Sequence, residues 1–219
     1  IIQDKENFMN KVLVVKAHPK SIDSSKSLQI GKVFIESYKK SHPDDQVTIR
    51  DVYADKVPLI NNENFDIWKK FKFGKDFFDL PKDQQQLMKG HVEWLDEFLE
   101  NDKYVFINPM YNLFLPAELK QYFDVVAIVG KTFKYTEKGP VGLLKNKKAF
   151  HIQSTGGIYQ GKDNEDQDIG DLYLRAIMKL FGINDYQSVL LEGVDNFPDQ
   201  AEKMLNEASI KAKESAKVF

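Results

Sequence analysis

Short, unbroken runs of apolar and β-branched residues recur along this chain with helical stretches between them. That alternation limits the possible folds more than any other feature. Lys11-Val12-Leu13-Val14-Val15-Lys16-Ala17 is the first run. It lacks the apolar–polar alternation of a half-exposed strand, so it reads as a strand buried on both faces. Tyr104–Asn108, Lys148–Gln153 and Ser188–Leu191 repeat the pattern, while Gln46–Val52 alternates in the manner of an edge strand. A helix of about four turns, ending near His42-Pro43, follows the first strand. On Asp83–Asn101, residues Leu87, His91, Trp94, Leu95 and Phe98 form one stripe of helical period. Further helices are expected over Ala117–Val129, over Leu172–Phe181 with Gly182 as its stop, and over Pro198–Val218.

Strands separated by helices lie parallel and are joined by right-handed crossovers. The expected fold is therefore α/β: a doubly wound five-stranded parallel sheet with helices on both faces, in the flavodoxin-like order. In that order the first and third strands are neighbours across the switch point, and the fourth lies beside the third. No repeat, low-complexity tract or Gly/Ser/Pro-rich linker interrupts the chain, so residues 9–219 read as a single domain. Ile1–Phe8 is neither a basic-then-apolar signal peptide nor a strand. Met9 reads as the natural start, and residues 1–8 as a remnant of added sequence. Two excursions depart from the alternation. Pro58–Leu80 carries Phe65, Trp68, Phe71, Phe73, Phe77 and Phe78 without a clean period, and Lys131–Leu144 suggests a hairpin around Lys138-Gly139. Because the βα units already supply a core, these aromatic insertions read first as subunit contacts or lids, with plain packing over the sheet as the alternative.

Composition removes several functions. The net charge of -2 over 219 residues offers no basic footprint for nucleic acid. With no Cys there can be no disulfide, thiolate metal site or Cys nucleophile. No apolar stretch approaches the roughly 20 residues of a membrane span. A cytoplasmic protein is the default expectation.

Three strand-to-helix loops would converge at the carboxyl edge of such a sheet, where open α/β folds bind ligands. The first, His18–Ser27, ends at a helix start on Ser24-Ser25-Lys26-Ser27. Two readings stand level there: simple N-capping, or an anion site built from serine hydroxyls, helix amides and the helix dipole. The second, Asn108-Pro109-Met110-Tyr111-Asn112-Leu113-Phe114-Leu115-Pro116, brings aromatic, amide and flexible apolar side chains to a proline-bracketed turn. That suits a flat ligand with polar edges. The third, Ser154-Thr155-Gly156-Gly157, pairs glycines whose amides can approach such an edge without Cβ interference, although a tight turn is the plainer explanation. Neither G-x-x-x-x-G-K-[ST] nor G-x-G-x-x-G is present, and no G-x-S-x-G elbow appears. His18, His42, His91 and His151 fall on different elements without metal-ligand spacing, so no metal is expected.

These motifs, with Thr132-Phe133-Lys134-Tyr135-Thr136 before Gly139-Pro140-Val141-Gly142-Leu143 and with Glu192-Gly193, resemble the FMN-dependent NADH-azoreductases, also described as NADH:quinone oxidoreductases. The similarity runs in order from Lys11 to the last helix. It implies a homodimer with FMN at sites on the interface, NADH as hydride donor, and quinones or aromatic azo compounds as acceptors in a ping-pong cycle. It places Ser25, Lys26 and Ser27 at the FMN phosphate, with His18 nearby. Pro109, Met110, Tyr111, Asn112 and Leu113 would line the isoalloxazine, Ser154, Thr155, Gly156 and Gly157 would meet its pyrimidine side, and Tyr135 would wall the pocket. Thr155 stands where many relatives carry Arg, His18 where Ser is frequent, and Lys26 where Gln is common. No general acid or base is implied. The alternative is a flavodoxin-type electron carrier, which the small net charge and aromatic excursions fit poorly.

Overall fold

The computed structural model describes residues 9–161 and 167–219, so the expectation about residues 1–8 lies outside the described residues. Strand β1 (Lys11–Lys16) leads through a short 3₁₀ turn into helix α1 (Lys26–Ser41) and strand β2 (Gln46–Asp51). Helices α2 (Asn62–Lys72) and α3 (Lys82–Glu100) precede β3 (Lys103–Pro109) and α4 (Ala117–Val126). A hairpin, β4 (Phe133–Thr136) and β5 (Gly139–Gly142), follows. The chain closes with β6 (Lys148–Ser154), α5 (Ile169–Phe181), β7 (Asp185–Leu191) and α6 (Ala201–Val218).

The five-stranded sheet has the order β2-β1-β3-β6-β7, and every pairing in it is parallel. This is the expected strand order. Alternation along the strands builds two cores. Tyr104, Phe106 and Ala149 join side chains of α3, α4 and α5 on one face. Val105, Ile107, Phe150 and Ile152 join α1 and α6 on the other. Burial on both faces explains why these strands read as continuous apolar runs.

The hairpin forms around Lys138-Gly139 as expected. Pro58–Leu80 differs from its sequence reading, because Asn62–Lys72 is helical. Asn61 and Asn64 cap each other reciprocally, and Ile67, Trp68 and Phe71 pack with Leu80 and Met88 in a small separate cluster. Element ends also shift. β7 begins at Asp185 and α5 at Ile169, both earlier than expected, and α4 stops at Val126.

Candidate functional site at the carboxyl edge

Because β1, β3 and β6 are adjacent and parallel, their following loops leave the same sheet edge. Backbone bonds tie these loops together. Ala17 N donates to Ile107 O at 2.8 Å, Met110 N to Ser154 O at 2.9 Å, and Thr155 N to Leu191 O at 2.8 Å.

In the first loop Ser25 is the N-cap of α1, and its side chain accepts from Leu28 N at 3.4 Å. Its hydroxyl also lies 3.1 Å from that of Ser27, and both serines are buried. Capping therefore accounts for Ser25 but not for the next residues. Among the described residues the Lys26 and Ser27 amides donate to no protein acceptor. Those amides sit at the positive end of a 16-residue helix, a favourable place for an anion. The Lys26 side chain is half-buried beside them. His18 is buried, and its Nδ1 accepts from Lys20 N at 2.9 Å, which places a proton on Nε2. Burial, with Lys20 and Lys16 nearby, pushes its imidazole below the ordinary range, so the ring is neutral. It meets Tyr111 edge-on at 6.4 Å between centroids.

The second loop is a tight turn. Tyr111 N donates to Phe114 O at 2.9 Å and Phe114 N to Tyr111 O at 3.0 Å. Its two central residues are left-handed, with φ of 51° at Asn112 and 67° at Leu113. Asn tolerates that region, but Leu pays roughly 1–2 kcal/mol for it. Pro109 is buried, Met110 is half-buried, and Tyr111 and Asn112 are exposed. Beside the turn opens a cleft of about 660 Å³ lined by Tyr53, Ile60, Tyr111, Asn112, Phe114 and Glu118, among others. Burial and the Glu118 carboxylate both raise the Tyr53 and Tyr111 hydroxyls above the usual phenol range. Both phenols are therefore neutral hydrogen-bond donors there.

The third loop is clamped from behind. Thr155 Oγ1 donates to Gly157 O at 2.7 Å, Gly193 N donates to the same oxygen at 2.8 Å, and Asp195 N donates to Gly156 O at 3.0 Å. The Glu192 carboxylate accepts from Tyr159 N and Gln160 N. Among the described residues the Gly156 and Gly157 amides donate to no protein acceptor. The glycines are not equivalent. A Cβ on Gly156 would lie 2.1 Å from Asp195 Oδ2, whereas one on Gly157 would meet only the end of the Tyr159 side chain, at 3.0 Å. Ser154 is half-buried at the strand end.

The loops thus bring together His18, Ser25, Lys26, Ser27, Pro109 through Leu113, and Ser154 through Gly157. Tyr135 stands apart. It rides on the hairpin, 69% exposed, packs edge-on against Phe133, and does not line the cleft beside Tyr111. Behind the loops lies a buried polar network that sequence reasoning missed. His151, Asn108, Gln153, Asp168 and Asp171 are all buried and hydrogen-bonded to one another. Its signal was visible: His151 and Gln153 sit two residues apart, on one face of a strand otherwise apolar on both sides.

Residues 10–216 match the model of a family described as having a flavodoxin-like fold. A curated relative from Lactiplantibacillus plantarum, FMN-dependent NADH:quinone oxidoreductase 2, is 46% identical over 96% of this chain and 100% of its own length. The crystal structure of an azoreductase from Bacillus anthracis str. Sterne superposes with a TM-score of 0.88 at 34% identity, covering 96% of this chain and 100% of that one. An FMN-dependent NADH-azoreductase from Bacillus anthracis str. Ames Ancestor, solved in complex with FMN, gives a TM-score of 0.86 at 34% identity, with 95% and 98% covered. Sheet order, loop placement and full-length similarity agree, and the chain belongs to the flavodoxin-like family of FMN-dependent NADH:quinone oxidoreductases and azoreductases.

Proposed function

We propose that this chain is an FMN-dependent oxidoreductase that passes reducing equivalents from NADH to quinones and aromatic azo compounds. One observation carries the reading: two sets of uncommitted backbone amides flank an aromatic turn at a single sheet edge. The Lys26 and Ser27 amides suit a phosphate, and the Gly156 and Gly157 amides suit an electron-rich ring edge. The distinct chemistry of the two sides matches a molecule with a phosphate at one end and a flat heterocycle at the other. When bound, FMN would supply the hydride chemistry between NADH and an acceptor that takes the nicotinamide's place.

The residues divide the remaining work. Ser25, Lys26 and Ser27 would hold the phosphate, with His18 contributing a neutral N–H donor close by. Pro109, Met110, Tyr111, Asn112 and Leu113 would form the bed of the ring. Ser154, Thr155, Gly156 and Gly157 would present fixed dipoles to the edge where negative charge develops on reduction, a preorganised form of stabilisation. Tyr135 is assigned to the wall of the acceptor pocket. Its exposure and its absence from the cleft lining suit a pocket completed by a second protomer, so the proposed assembly is a homodimer. Among the described residues no helix is long and apolar enough to cross a membrane. A cytoplasmic location, and residues 9–219 as one FMN-binding domain, are proposed on the sequence reading.

The test is spectroscopic. The purified protein, supplied with FMN, is expected to retain a yellow chromophore, to bleach on addition of NADH without oxygen, and to recover on addition of a quinone. A colourless protein that takes up no FMN sinks the reading. Bleaching without recovery by quinone or azo dye leaves a carrier rather than a reductase.

A further inference from the structure

The buried network behind the loops has hydrogen bonds that fit only one protonation state. Asn108 Nδ2 lies 3.0 Å from Pro109 O and 3.4 Å from Gln153 Oε1. A carbonyl oxygen cannot donate, so the Asn108 amide nitrogen must face Pro109. Gln153 is oriented independently, because its Nε2 donates to both oxygens of Asp168 at 3.1 Å. Asp168 is itself fixed as the N-cap of α5, accepting from Asp171 N at 3.0 Å. Asn108 Oδ1 therefore faces His151 Nε2, 3.0 Å away, and that nitrogen must carry a proton.

The other ring nitrogen is equally constrained. His151 Nδ1 lies 2.8 Å from Asp171 Oδ1. That carboxylate also accepts from Tyr186 Oη at 2.7 Å and from Arg175 at 3.0 Å. The Arg175 guanidinium against Oδ2 and the Tyr186 hydroxyl donating to Oδ1 favour the ionised form of this carboxyl independently of His151. An ionised carboxylate only accepts, so Nδ1 must also donate. Among the described residues, the charged and titratable groups around the ring are Asp171 and, through it, Arg175 and Tyr186, with Asp168 reached through Gln153.

We infer that His151 is a buried imidazolium acting as a positioning residue: its proton holds Asn108, and with it the loop proposed as the flavin bed, in place. The inference rests on the FMN reading above. Asn108 is in register with Gln153, and Pro109 with Ser154, so one network grips the roots of the second and third loops together. Loss of the Nε2 proton would set a nitrogen lone pair against Asn108 Oδ1. Relief by rotating the Asn108 amide would set its oxygen against Pro109 O. Either way the root of the Met110–Leu113 turn loses its anchor, although His151 touches no ligand.

The experiment uses the full chain with isotope-labelled histidine. In wild type at about pH 7, the nitrogen spectrum is expected to show both His151 ring nitrogens protonated. A neutral ring there overturns the inference. His151→Gln has donors on a single nitrogen and cannot match both ring-nitrogen positions, and its FMN affinity is expected to fall by about tenfold or more. Should that variant fail to fold, Asp171→Asn keeps an acceptor oxygen while removing the charge. It is expected to lose the doubly protonated signature at about pH 7 and to weaken FMN binding. Wild-type affinity in folded His151→Gln or Asp171→Asn, within about twofold, overturns the inference while FMN binding by wild type stands. Wild type that takes up no FMN sinks the cofactor reading itself and this inference with it, whatever the nitrogen spectrum shows.

Discussion

Gly156 is the residue at which backbone shape and proposed chemistry meet most tightly. Asp195 Oδ2 occupies the place its Cβ would need, at 2.1 Å, and Asp195 N donates to Gly156 O at 3.0 Å. A side chain at 156 must therefore turn the Asp195 carboxylate away or push the loop outward, toward the ligand side. Gly156→Ala is expected to weaken FMN binding by about tenfold, since overpacking of this kind typically costs 1–3 kcal/mol. Gly156→Ala combined with Asp195→Ala is expected to recover most of that loss, because the obstructing carboxylate is gone. Fluorescence titration with FMN measures both. If Gly156→Ala binds like wild type, the loop does not present its amides to the cofactor. Gly157 is the more forgiving of the pair, because its Cβ would meet only the Tyr159 side chain. The paired glycines were legible in the sequence, but the difference between them was not. It depends on Asp195, which lies beyond β7 and reaches the loop only through the fold.

At the scale of elements, the β4–β5 hairpin is held by a close backbone approach. A Cβ on Gly142 would sit 2.1 Å from Gly182 N, and Leu144 N donates to Phe181 O at 2.9 Å, so β5 packs directly on the end of α5. Backbone cannot yield as a flexible side chain can. Gly142→Ala is therefore expected to lower unfolding free energy by about 1–3 kcal/mol in urea titration. It should also speed tryptic cleavage after Lys138 and, with Tyr135 displaced, raise the KM for a quinone more than it weakens FMN binding. Unchanged cleavage and KM would mean that the hairpin is held elsewhere. The hairpin itself was legible from Lys138-Gly139 between short runs, and the parallel strands were legible because burial on both faces leaves unbroken apolar runs. Helix α2 was not. Asn64, Ile67, Trp68 and Phe71 do share one inner face, but the first is a polar capping residue, bonded to Asn61 and to Met88 Sδ. Phe65 and Phe73 place aromatics on the outer side and hide the period. Likewise His151 reads as a satisfied core residue until α5 brings Asp171 against it, a contact made across 20 positions of sequence.

At the scale of the whole molecule, the outward aromatics bear on assembly. Phe73 is 84% exposed, Phe78 83%, Leu59 76% and Tyr135 69%, all on the two excursions from the βα pattern. A lone chain gains nothing by holding such residues in water, whereas burying each large side chain stabilises an assembly by about 1.5–3 kcal/mol. Wild type is therefore expected to sediment at twice the 25.3 kDa chain mass at micromolar concentration. Phe78→Glu, which places a charge among the exposed aromatics of the first excursion, is expected to shift that equilibrium toward monomer. Circular dichroism should remain native, because Phe78 contributes nothing to the two cores that flank the sheet. The dimer reading also predicts how function fails. The proposed FMN loops all belong to one chain, so a monomeric Phe78→Glu variant should still bind FMN, with reduced affinity. The acceptor pocket, which Tyr135 does not reach in one protomer, should be open, so quinone turnover should fall more steeply than FMN occupancy. Sedimentation, flavin content and steady-state kinetics on one preparation separate these effects. A monomeric wild type with full turnover would remove the need for a second subunit and return Tyr135 to the solvent-exposed surface.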